Sequence, residues 1–387
     1  MPSTPLKNLL YRAALPFMAP TPRGQMTHTF SGQPLHHLPE YEKLLVRHHV
    51  LGATLLLSDG NRTAIAHTAV QKPLHAPDDS TLYRVASITK MATALATLSC
   101  IADGLFTLET PVRSLLPETA HASVLTGVTV RHLLCHTSGL CDLPAMDAAL
   151  RDSRSYDDVL AAPGVRACKP GEQLIYSNFG FGLLGCILEN VTGMCISDLL
   201  RVKLFEPLGM RATLDASTLD ETLIMPISRV LRYKAGSDVT ITKLGRIPLD
   251  KPDALRHFGH TAGAMYIDAP SLARLLRLIH HRGMHEGRQL IPADLMAEMT
   301  REQSATPTRR YGLGLVVLDR PGLLPRRLLG HQGFAYGCVD GAFIEEDTGR
   351  LVVFLNGGAS EARQGKLGLV NRDILGWALT KEMTAWT

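Results

Sequence analysis

The sequence lacks several patterns that identify whole classes of proteins. No apolar run reaches about 18 residues, so no membrane-spanning helix is expected. Neither a glycine repeat nor a long heptad run occurs, which excludes collagen-like and coiled-coil chains. Charged residues make up only 20% and hydrophobic residues 45%, which excludes disorder over most of the chain. A chain of 387 residues with this composition is expected to form two lobes or one large composite domain.

Patterns typical of nucleic-acid and metal binding are also sparse. The formal net charge is +4, and the densest basic spots are the short pairs Arg309-Arg310 and Arg326-Arg327, so no nucleic-acid partner is expected. The 16 histidines are scattered, and no His-x-x-x-His or Cys-x-x-Cys pair with metal-ligand spacing stands out. We therefore expect no metal and no cofactor, and a small-molecule substrate. The sequence leaves the oligomeric state open.

The seven cysteines form an odd set that lies mostly within apolar stretches, which favours buried, reduced thiols and a reducing compartment. The apolar segment from Leu9 to Pro20 follows Lys7 and faintly resembles a signal peptide. Arg12 interrupts this segment, and no small-x-small cleavage site follows it. The prediction is a cytoplasmic protein, with export as the alternative.

The N-terminal third predicts an extension followed by a helix, a hairpin and a second helix. Residues 1–36 are rich in Pro, Thr, Gly and His without periodicity, which is typical of an N-terminal extension or wrapping arm. An amphipathic helix is predicted over 40–49. The apolar runs 51–57 and 63–70 flank an Asp-Gly-Asn turn and predict a hairpin. From Ser87, an Ala- and Leu-rich segment predicts a buried helix that ends at Gly104.

The rest of the chain changes from a helical to a β pattern. Short helices are predicted first, including 179–192, 194–204 and one capped by Asp268. Strands are then predicted over 312–318, 341–345 and 351–356, and a closing helix over 366–383. Strands at both ends with a helical middle predict an α+β fold. A discontinuous sheet domain (37–105 and 255–387) would carry an inserted helical lobe (106–254), with a site in the cleft between them.

Ser87 and Lys90 form the first candidate for catalysis. Residues three apart on a helix share one face, so an amine could accept the proton of the hydroxyl. Burial in Val-Ala-Ser-Ile-Thr-Lys-Met-Ala would lower the pKa of the lysine towards neutrality. The alternative is that Ser87 is an N-cap and Lys90 a solvated residue of the first turn.

Two further motifs are candidates for the same chemistry. Tyr176-Ser-Asn178 follows a Pro-Gly turn, and its phenol and carboxamide could relay a proton or hold a substrate carbonyl. Gly330-His331-Gln-Gly333-Phe334 would let a ligand approach a strand edge closely. Taken alone, the first motif could be a core tyrosine followed by an asparagine N-cap, and the second an ordinary β-bulge.

Taken together and in this order, the three motifs resemble the signature of the serine β-lactamases and penicillin-binding proteins. Tyr-x-Asn is the form found in class C β-lactamases and their relatives, and His-x-Gly is a known replacement for Lys-Thr-Gly. The similarity runs over roughly residues 40–380 and includes His136-Thr-Ser-Gly and Tyr311-Gly-Leu-Gly. The resemblance implies a β-lactamase/transpeptidase-like fold, an antiparallel sheet flanked by helices plus an all-helical lobe.

The resemblance also implies a role for each matching residue. Ser87 would be the acylated nucleophile, Lys90 would hold its proton, and Tyr176 would be a partner base or relay. The backbone N–H groups of Ser87 and Phe334 would form the oxyanion hole. The remaining matches would bind substrate: Asn178, His331 and Gly333.

The sequence departs from the β-lactamase pattern at His331, where an imidazole replaces an ammonium. Because imidazole is mostly neutral at pH 7, capture of a carboxylate is weakened and neutral esters or amides are favoured. The expected activity is that of an esterase, or an acyl transferase, working through a Ser87 acyl-enzyme. Alternatives are a D-amino-acid peptidase or amidase, since some of these relatives also carry His here, or a weak β-lactamase. The alternative outside the enzymes is a pseudoenzyme of the same fold, which would bind a ligand without catalysis.

Three further polar residues have structural interpretations or lie at the edge of the predicted site. His136 is interpreted as a structural hydrogen-bonding residue, Asp268 as an N-cap, and His260 as a residue that could border the cleft. No deacylating glutamate can be assigned. No Gly-x-Ser-x-Gly elbow occurs, so an α/β-hydrolase fold is not supported.

Overall fold

The largest element of the fold is a nine-stranded antiparallel sheet. The structure, a computed structural model, describes residues 5–18, 26–69, 76–230, 247–319 and 326–386. The described residues form the large sheet and three small ones. The strands of all four sheets are β1 (Thr27–Gly32), β2 (Gly52–Ser58), β3 (Thr63–Ala69), β4 (Tyr83–Arg84), β5 (Ala212–Thr213), β6 (Tyr266–Ile267), β7 (Met284–His285), β8 (Arg288–Gln289), β9 (Ser304–Thr306), β10 (Arg309–Tyr311), β11 (Val316–Leu318), β12 (Leu328–Ala335), β13 (Cys338–Glu345), β14 (Leu351–Asn356), β15 (Arg363–Gln364) and β16 (Leu367–Gly368). The order in the large sheet is β1-β3-β2-β14-β13-β12-β11-β10-β9.

The centre of this sheet joins the two ends of the chain. β14 pairs with β2, with Phe354 opposite Leu55. Every residue of both strands is buried, because helices cover both faces. Along β14, Val352 and Phe354 enter one core cluster and the alternating Leu351, Val353 and Leu355 enter the other, as the period of two requires. Continuous apolar runs of this kind are typical of strands buried on two sides.

Helices lie on both faces of the sheet, and a group of short helices forms the middle of the chain. The helices are α1 (Pro5–Met18), α2 (Leu38–Arg47), α3 (Thr89–Ala102), α4 (Val130–Leu134), α5 (Pro144–Arg151), α6 (Tyr156–Leu160), α7 (Asn178–Thr192), α8 (Ile196–Leu200), α9 (Ala269–His280), α10 (Ala293–Thr300) and α11 (Leu369–Trp377). α2 and α11 pack on one face. α3, α7 and α9 belong to the core on the other face. The predicted α+β fold with an antiparallel sheet flanked by helices is confirmed.

The structure differs from the sequence-based expectation at the N-terminus. Residues 1–36 were expected to form an extension, yet the described part contains α1 and the edge strand β1. β1 pairs with β3 along its length, from Thr27 opposite Ala69 to Gly32 opposite Ala64. Its side chains are half-buried or exposed, so the strand lacks the strong apolar alternation by which strands are predicted.

The described part of the middle of the chain, which was predicted to be all-helical, contains the short strand β5. β5 pairs with β6, which also pairs with β4, and this small sheet attaches the middle segment to the start of α3. The predicted bounds of the two lobes stay predictions. The end of the predicted strand at Val70 lies outside the described residues.

The described part of the chain contains no single helix with the length and apolar composition of a membrane span. Only α7 taken together with the segment Ile196–Phe205 passes that test, and the pair is bent by 87°.

Candidate active site

Ser87 lies where the chain enters α3. A short 3₁₀ turn, Ala86–Ile88, precedes the helix, and Ser87 is half-exposed within it. Ala86 has φ +44°, a left-handed conformation that non-glycine residues adopt only when the surroundings hold them there. The hydrogen bond from Val85 N to Met265 O, at 3.0 Å, fixes the chain directly before this turn. The hydroxyl is thus presented on a rigid support.

Lys90 is fully buried one helical turn further on, and its Nζ has three hydrogen-bond partners. The partners are Ser87 Oγ at 3.2 Å, Asn178 Oδ1 at 2.8 Å and Ala262 O at 2.6 Å. Burial lowers the pKa of Lys90 to about 7, although the negative charge of Asp142 raises it in part. The amine is therefore neutral in a large fraction of molecules at neutral pH.

The three partners decide what a neutral Lys90 can do. Two of them, Asn178 Oδ1 and Ala262 O, are carbonyl oxygens that only accept hydrogen bonds. A neutral amine has two N–H groups and one lone pair, so both N–H groups are used by these carbonyls. The lone pair then faces Ser87 Oγ and can accept its proton.

Tyr176 is held beside Ser87 by His136. Ile175 N donates to His136 O at 2.8 Å, and Ser177 N donates to His136 Nδ1 at 3.2 Å, on either side of the tyrosine. The rings of His136 and Tyr176 lie 4.3 Å apart. Ser87 beside the hydroxyl lowers the pKa of Tyr176 in part, but burial keeps the pKa of the phenol well above its usual value. Since the phenol stays protonated at neutral pH, the lone pair beside Ser87 is that of Lys90 and not of a tyrosinate.

Asp142 orients Asn178 and is a residue that the sequence analysis missed. Its carboxylate accepts from Asn178 Nδ2 at 2.7 Å and from Phe179 N at 3.0 Å. The carboxamide therefore turns its oxygen towards Lys90. The only sequence signal was the position of Asp142 directly after the His136-Thr-Ser-Gly-Leu-Cys segment.

His331 lies on β12, opposite Tyr176 across the cleft, with ring centroids 6.4 Å apart. Burial, together with the charge of Lys90, lowers the pKa of His331 to about 3, so the imidazole is neutral at pH 7. Nδ1 donates to Gln332 O at 2.7 Å, which leaves Nε2 unprotonated. Among the described residues Nε2 has no hydrogen-bond partner, so it can accept a hydrogen bond from a ligand.

Gly333 allows β12 to lie directly against the turn that carries Ser87. A Cβ at this position would be 2.3 Å from Val85 O, a distance that backbone atoms cannot accommodate without moving. Gly333 lies against Val85, and its neighbours Gln332 and Phe334 line the cleft; a role of Gly333 in substrate binding stays a prediction. The glycine therefore brings Phe334 to the same cleft as Ser87.

The cleft has a volume of about 530 Å³ and joins residues from the sheet and the helical segment. Besides the residues that the sequence analysis selected, it contains three cations, Arg309, Arg363 and Lys366. We call these three the cationic rim. Arg309 had been noted only as part of a basic pair, whose other member, Arg310, instead forms ion pairs with Glu302 and Asp319. No local motif marks the cationic rim, because it is assembled from two segments that are distant in the sequence.

Two other residues of the sequence analysis lie outside the cleft. His260 is buried beside a separate small cavity that Leu214 and Tyr266 also line. Asp268 caps α9, where its carboxylate accepts from Ser271 N at 2.7 Å, so the predicted N-cap is confirmed.

One group in the described part of the chain has the composition of a metal site: Glu189, Cys195 and His257, all buried. Its donor atoms already have protein partners. His257 Nδ1 lies 2.6 Å from Glu189 Oε1 and its Nε2 3.0 Å from Pro248 O, while the Cys195 thiol donates to Leu249 O at 3.1 Å. These contacts hold the segment 247–257 against α7, and we call them the clamp. Sequence spacing did not reveal it, since Glu189 and His257 are 68 positions apart.

The sequence is similar to a family of known proteins. The model of a family described as Beta-lactamase matches residues 33–372. Penicillin-binding protein 4 of Amycolatopsis lactamdurans is 28% identical over 278 residues, which cover 70% of this chain and 70% of that protein. Penicillin-binding protein 4* of Bacillus subtilis (strain 168) is 31% identical over 190 residues, 46% of this chain and 41% of that protein. The match thus spans less than half of the Bacillus protein.

Solved structures show the same fold. A D-stereospecific amidohydrolase from Streptomyces sp. is 26% identical, with a TM-score of 0.64 over 87% of this chain and 95% of that one. The octameric penicillin-binding protein homologue from Pyrococcus abyssi is 20% identical, with a TM-score of 0.69 over 90% of this chain and 76% of that one. The predicted β-lactamase/transpeptidase-like fold is confirmed.

Proposed function

This chain belongs to the Beta-lactamase family, and from that premise we propose that it hydrolyses a carboxylic ester or amide through a covalent acyl-enzyme on Ser87. The observation that carries the proposal is the set of contacts made by Lys90. Its Nζ lies 3.2 Å from Ser87 Oγ, and its other two partners are hydrogen-bond acceptors only. Such an arrangement leaves the lone pair of the neutral amine for the serine proton.

Acylation proceeds as follows. Ser87 Oγ bonds to the carbonyl carbon of the substrate, and its proton passes to Lys90 Nζ. The negative charge that develops on the carbonyl oxygen is stabilised by the backbone N–H groups of Ser87 and Phe334, whose loss would typically cost about 3 kcal/mol per donor. When the bond to the leaving group breaks, the alcohol or amine takes a proton from Lys90, with the Tyr176 hydroxyl as relay.

Deacylation uses the same residues in reverse. Water bonds to the acyl carbon, its proton passes to Lys90, and Ser87 Oγ leaves with a proton. Among the described residues that line the cleft there is no glutamate, so the amine is the base for this step as well. An alcohol or amine that takes the place of water would make the reaction an acyl transfer.

Esters are the favoured substrates because His331 is neutral at pH 7 and offers only a hydrogen-bond acceptor to the ligand. A second candidate activity, that of a D-amino-acid amidase or peptidase, is supported by the cationic rim, which would attract a substrate carboxylate. The Streptomyces relative, whose name states a D-stereospecific amidohydrolase, adds support to this second candidate.

A fluorophosphonate probe tests the covalent step directly. We expect intact-mass measurement to show one adduct on the wild type, and peptide mapping to place it on Ser87. Ser87→Ala should form no adduct and have no turnover, whereas Ser123→Ala, at an exposed serine, should behave as the wild type. An unlabelled wild-type protein would support the non-catalytic, ligand-binding alternative.

A substrate panel separates the two activities. We expect p-nitrophenyl esters to be hydrolysed faster than D-amino-acid amides, D-peptides or nitrocefin. If D-peptides with a free carboxylate are preferred and Arg309→Gln raises their KM while leaving esters unaffected, the second candidate is correct.

A further inference from the structure

Helix α1 presents an apolar stripe to the solvent. At 3.6 residues per turn, Leu6, Leu9, Leu10, Ala13 and Phe17 fall within an arc of about 100°. The four large side chains are 61–89% exposed, Phe17 most of all. Scattered exposed leucines are common, but a continuous stripe on one helix marks an interaction surface.

The opposite side of α1 is attached to the body of the protein, so the stripe points outward. Asn8 Nδ2 donates to Arg363 O at 2.8 Å, and Arg363 N donates back to Asn8 Oδ1 at 3.1 Å. Glu361 N donates to the Tyr11 hydroxyl at 3.0 Å, and Leu15 is buried. These contacts fix the rotation of the helix about its axis.

The charges on α1 indicate what covers the stripe. The helix carries Lys7 and Arg12 and no acidic residue. Both cations are exposed, and on the helical wheel they flank the stripe on its two sides. Long cationic side chains beside an apolar face are typical of helices that lie in a membrane surface, where the charges reach anionic headgroups.

We propose that α1 binds the surface of an anionic lipid bilayer through its apolar stripe and its two flanking cations. A second copy of the chain fits less well. A symmetric contact between two α1 helices would bring the cations of one copy near those of the other, with no acidic partner on either helix. Because Arg363 also lines the catalytic cleft, binding would place the lipid surface beside that cleft.

Vesicle co-sedimentation of the full chain, its N-terminus verified by intact mass, tests the proposal. We expect binding to vesicles of phosphatidylcholine and phosphatidylserine in equal parts, weaker binding to phosphatidylcholine alone, and a decrease at high salt. Leu9→Ser/Phe17→Ser should lower the affinity by more than about tenfold, because two large apolar contacts are lost. Lys7→Gln/Arg12→Gln should lower it to a similar extent on anionic vesicles only.

The control is Leu105→Ser/Val202→Ser, at two apolar residues that are 45% and 41% exposed elsewhere on the molecule. It should bind as the wild type. The proposal is overturned if the wild type stays in the supernatant with both vesicles, if both vesicles bind it equally, or if the α1 variants bind as the wild type. It is also overturned if sedimentation velocity shows a dimer that only Leu9→Ser/Phe17→Ser dissociates, since a second copy would then cover the stripe.

Discussion

At the scale of single residues, the protonation state of Lys90 depends on its burial and on the charges of the side chains around it. His136 and His331 are neutral, because burial lowers the pKa of each imidazole, and the Tyr176 phenol is protonated. The negative charge of Asp142 raises the pKa of Lys90 against the effect of burial. A neutral amine is thus maintained by low solvation and by neighbours that carry no charge.

The acylation rate should therefore depend on a single ionisation. In the proposed mechanism the active form of Lys90 is the neutral amine, and its fraction increases as pH rises through the pKa of about 7. We expect pre-steady-state acylation by a p-nitrophenyl ester to rise with pH, with a midpoint near this value, and to level off above it. A rate that falls over this range would show that the ammonium is the active form.

Asp142→Asn should move this pH dependence to lower pH. The variant keeps an oxygen that can accept from Asn178 Nδ2 but loses the negative charge that raises the pKa of Lys90. Asp147→Asn, at an exposed aspartate on α5, is the matched control and should leave the midpoint in place. A loss of rate in Asp142→Asn with an unchanged midpoint would mean that Asp142 acts only by orienting Asn178.

At the scale of secondary-structure elements, the segment after residue 247 is attached to α7 and reaches Lys90. Gly182 on α7 allows the Phe258 carbonyl to approach so closely that a Cβ would lie 1.8 Å from it. Thr261 Oγ1 donates to Phe181 O at 2.7 Å, and the next residue, Ala262, supplies the carbonyl that Lys90 contacts. The position of that carbonyl thus depends on contacts made by α7.

Glu189→Ala should destabilise the protein strongly. Glu189 accepts from Ile196 N at 2.7 Å and Asp253 N at 2.6 Å in addition to His257, and removal of the carboxylate leaves buried donors without a partner. We expect the free energy of unfolding, measured with urea, to fall by about 3–5 kcal/mol. Glu118→Ala, at an exposed glutamate, should change it by less than about 0.5 kcal/mol. An equally small effect at Glu189 would contradict the clamp.

At the scale of the whole molecule, one hydrophobic core passes through both the sheet and the helical middle. Val353 of the central strand, Leu95 of α3 and Leu183 of α7 belong to a single cluster of buried side chains. The second cluster, on the other face of the sheet, contains Tyr41 and Trp377, whose rings stack 5.5 Å apart. Among the described residues, the helical middle therefore has no separate core of its own.

This shared core predicts one cooperative unfolding transition. Far-ultraviolet circular dichroism, which reports mainly on the helices, and tryptophan fluorescence, which reports on Trp377 and Trp386 near the sheet, should give the same midpoint in urea. Two transitions at different urea concentrations would show that the helical middle unfolds independently of the sheet.

Much of the fold could be predicted because the signals are local. The apolar run 351–356 and the helix over residues 178–192 have continuous patterns that neighbours in the chain determine. Ser87 and Lys90 are three positions apart, so the geometry of one helical turn alone places them together. β1 escaped prediction because a half-exposed edge strand needs little apolar periodicity.

What the sequence by itself determined is the order of strands and helices and the chemistry present at three motifs. Only the tertiary structure decided which groups meet there: Asp142 with Asn178, Ala262 with Lys90, and the cationic rim with Ser87. The reason is that hydrogen bonds and charges act over a few ångströms in space, whereas the first two of these pairs are 36 and 172 positions apart in the chain. The protonation state of Lys90 also depends on the tertiary structure. Solvent is excluded from the amine by the elements packed around it and not by its neighbours in the sequence.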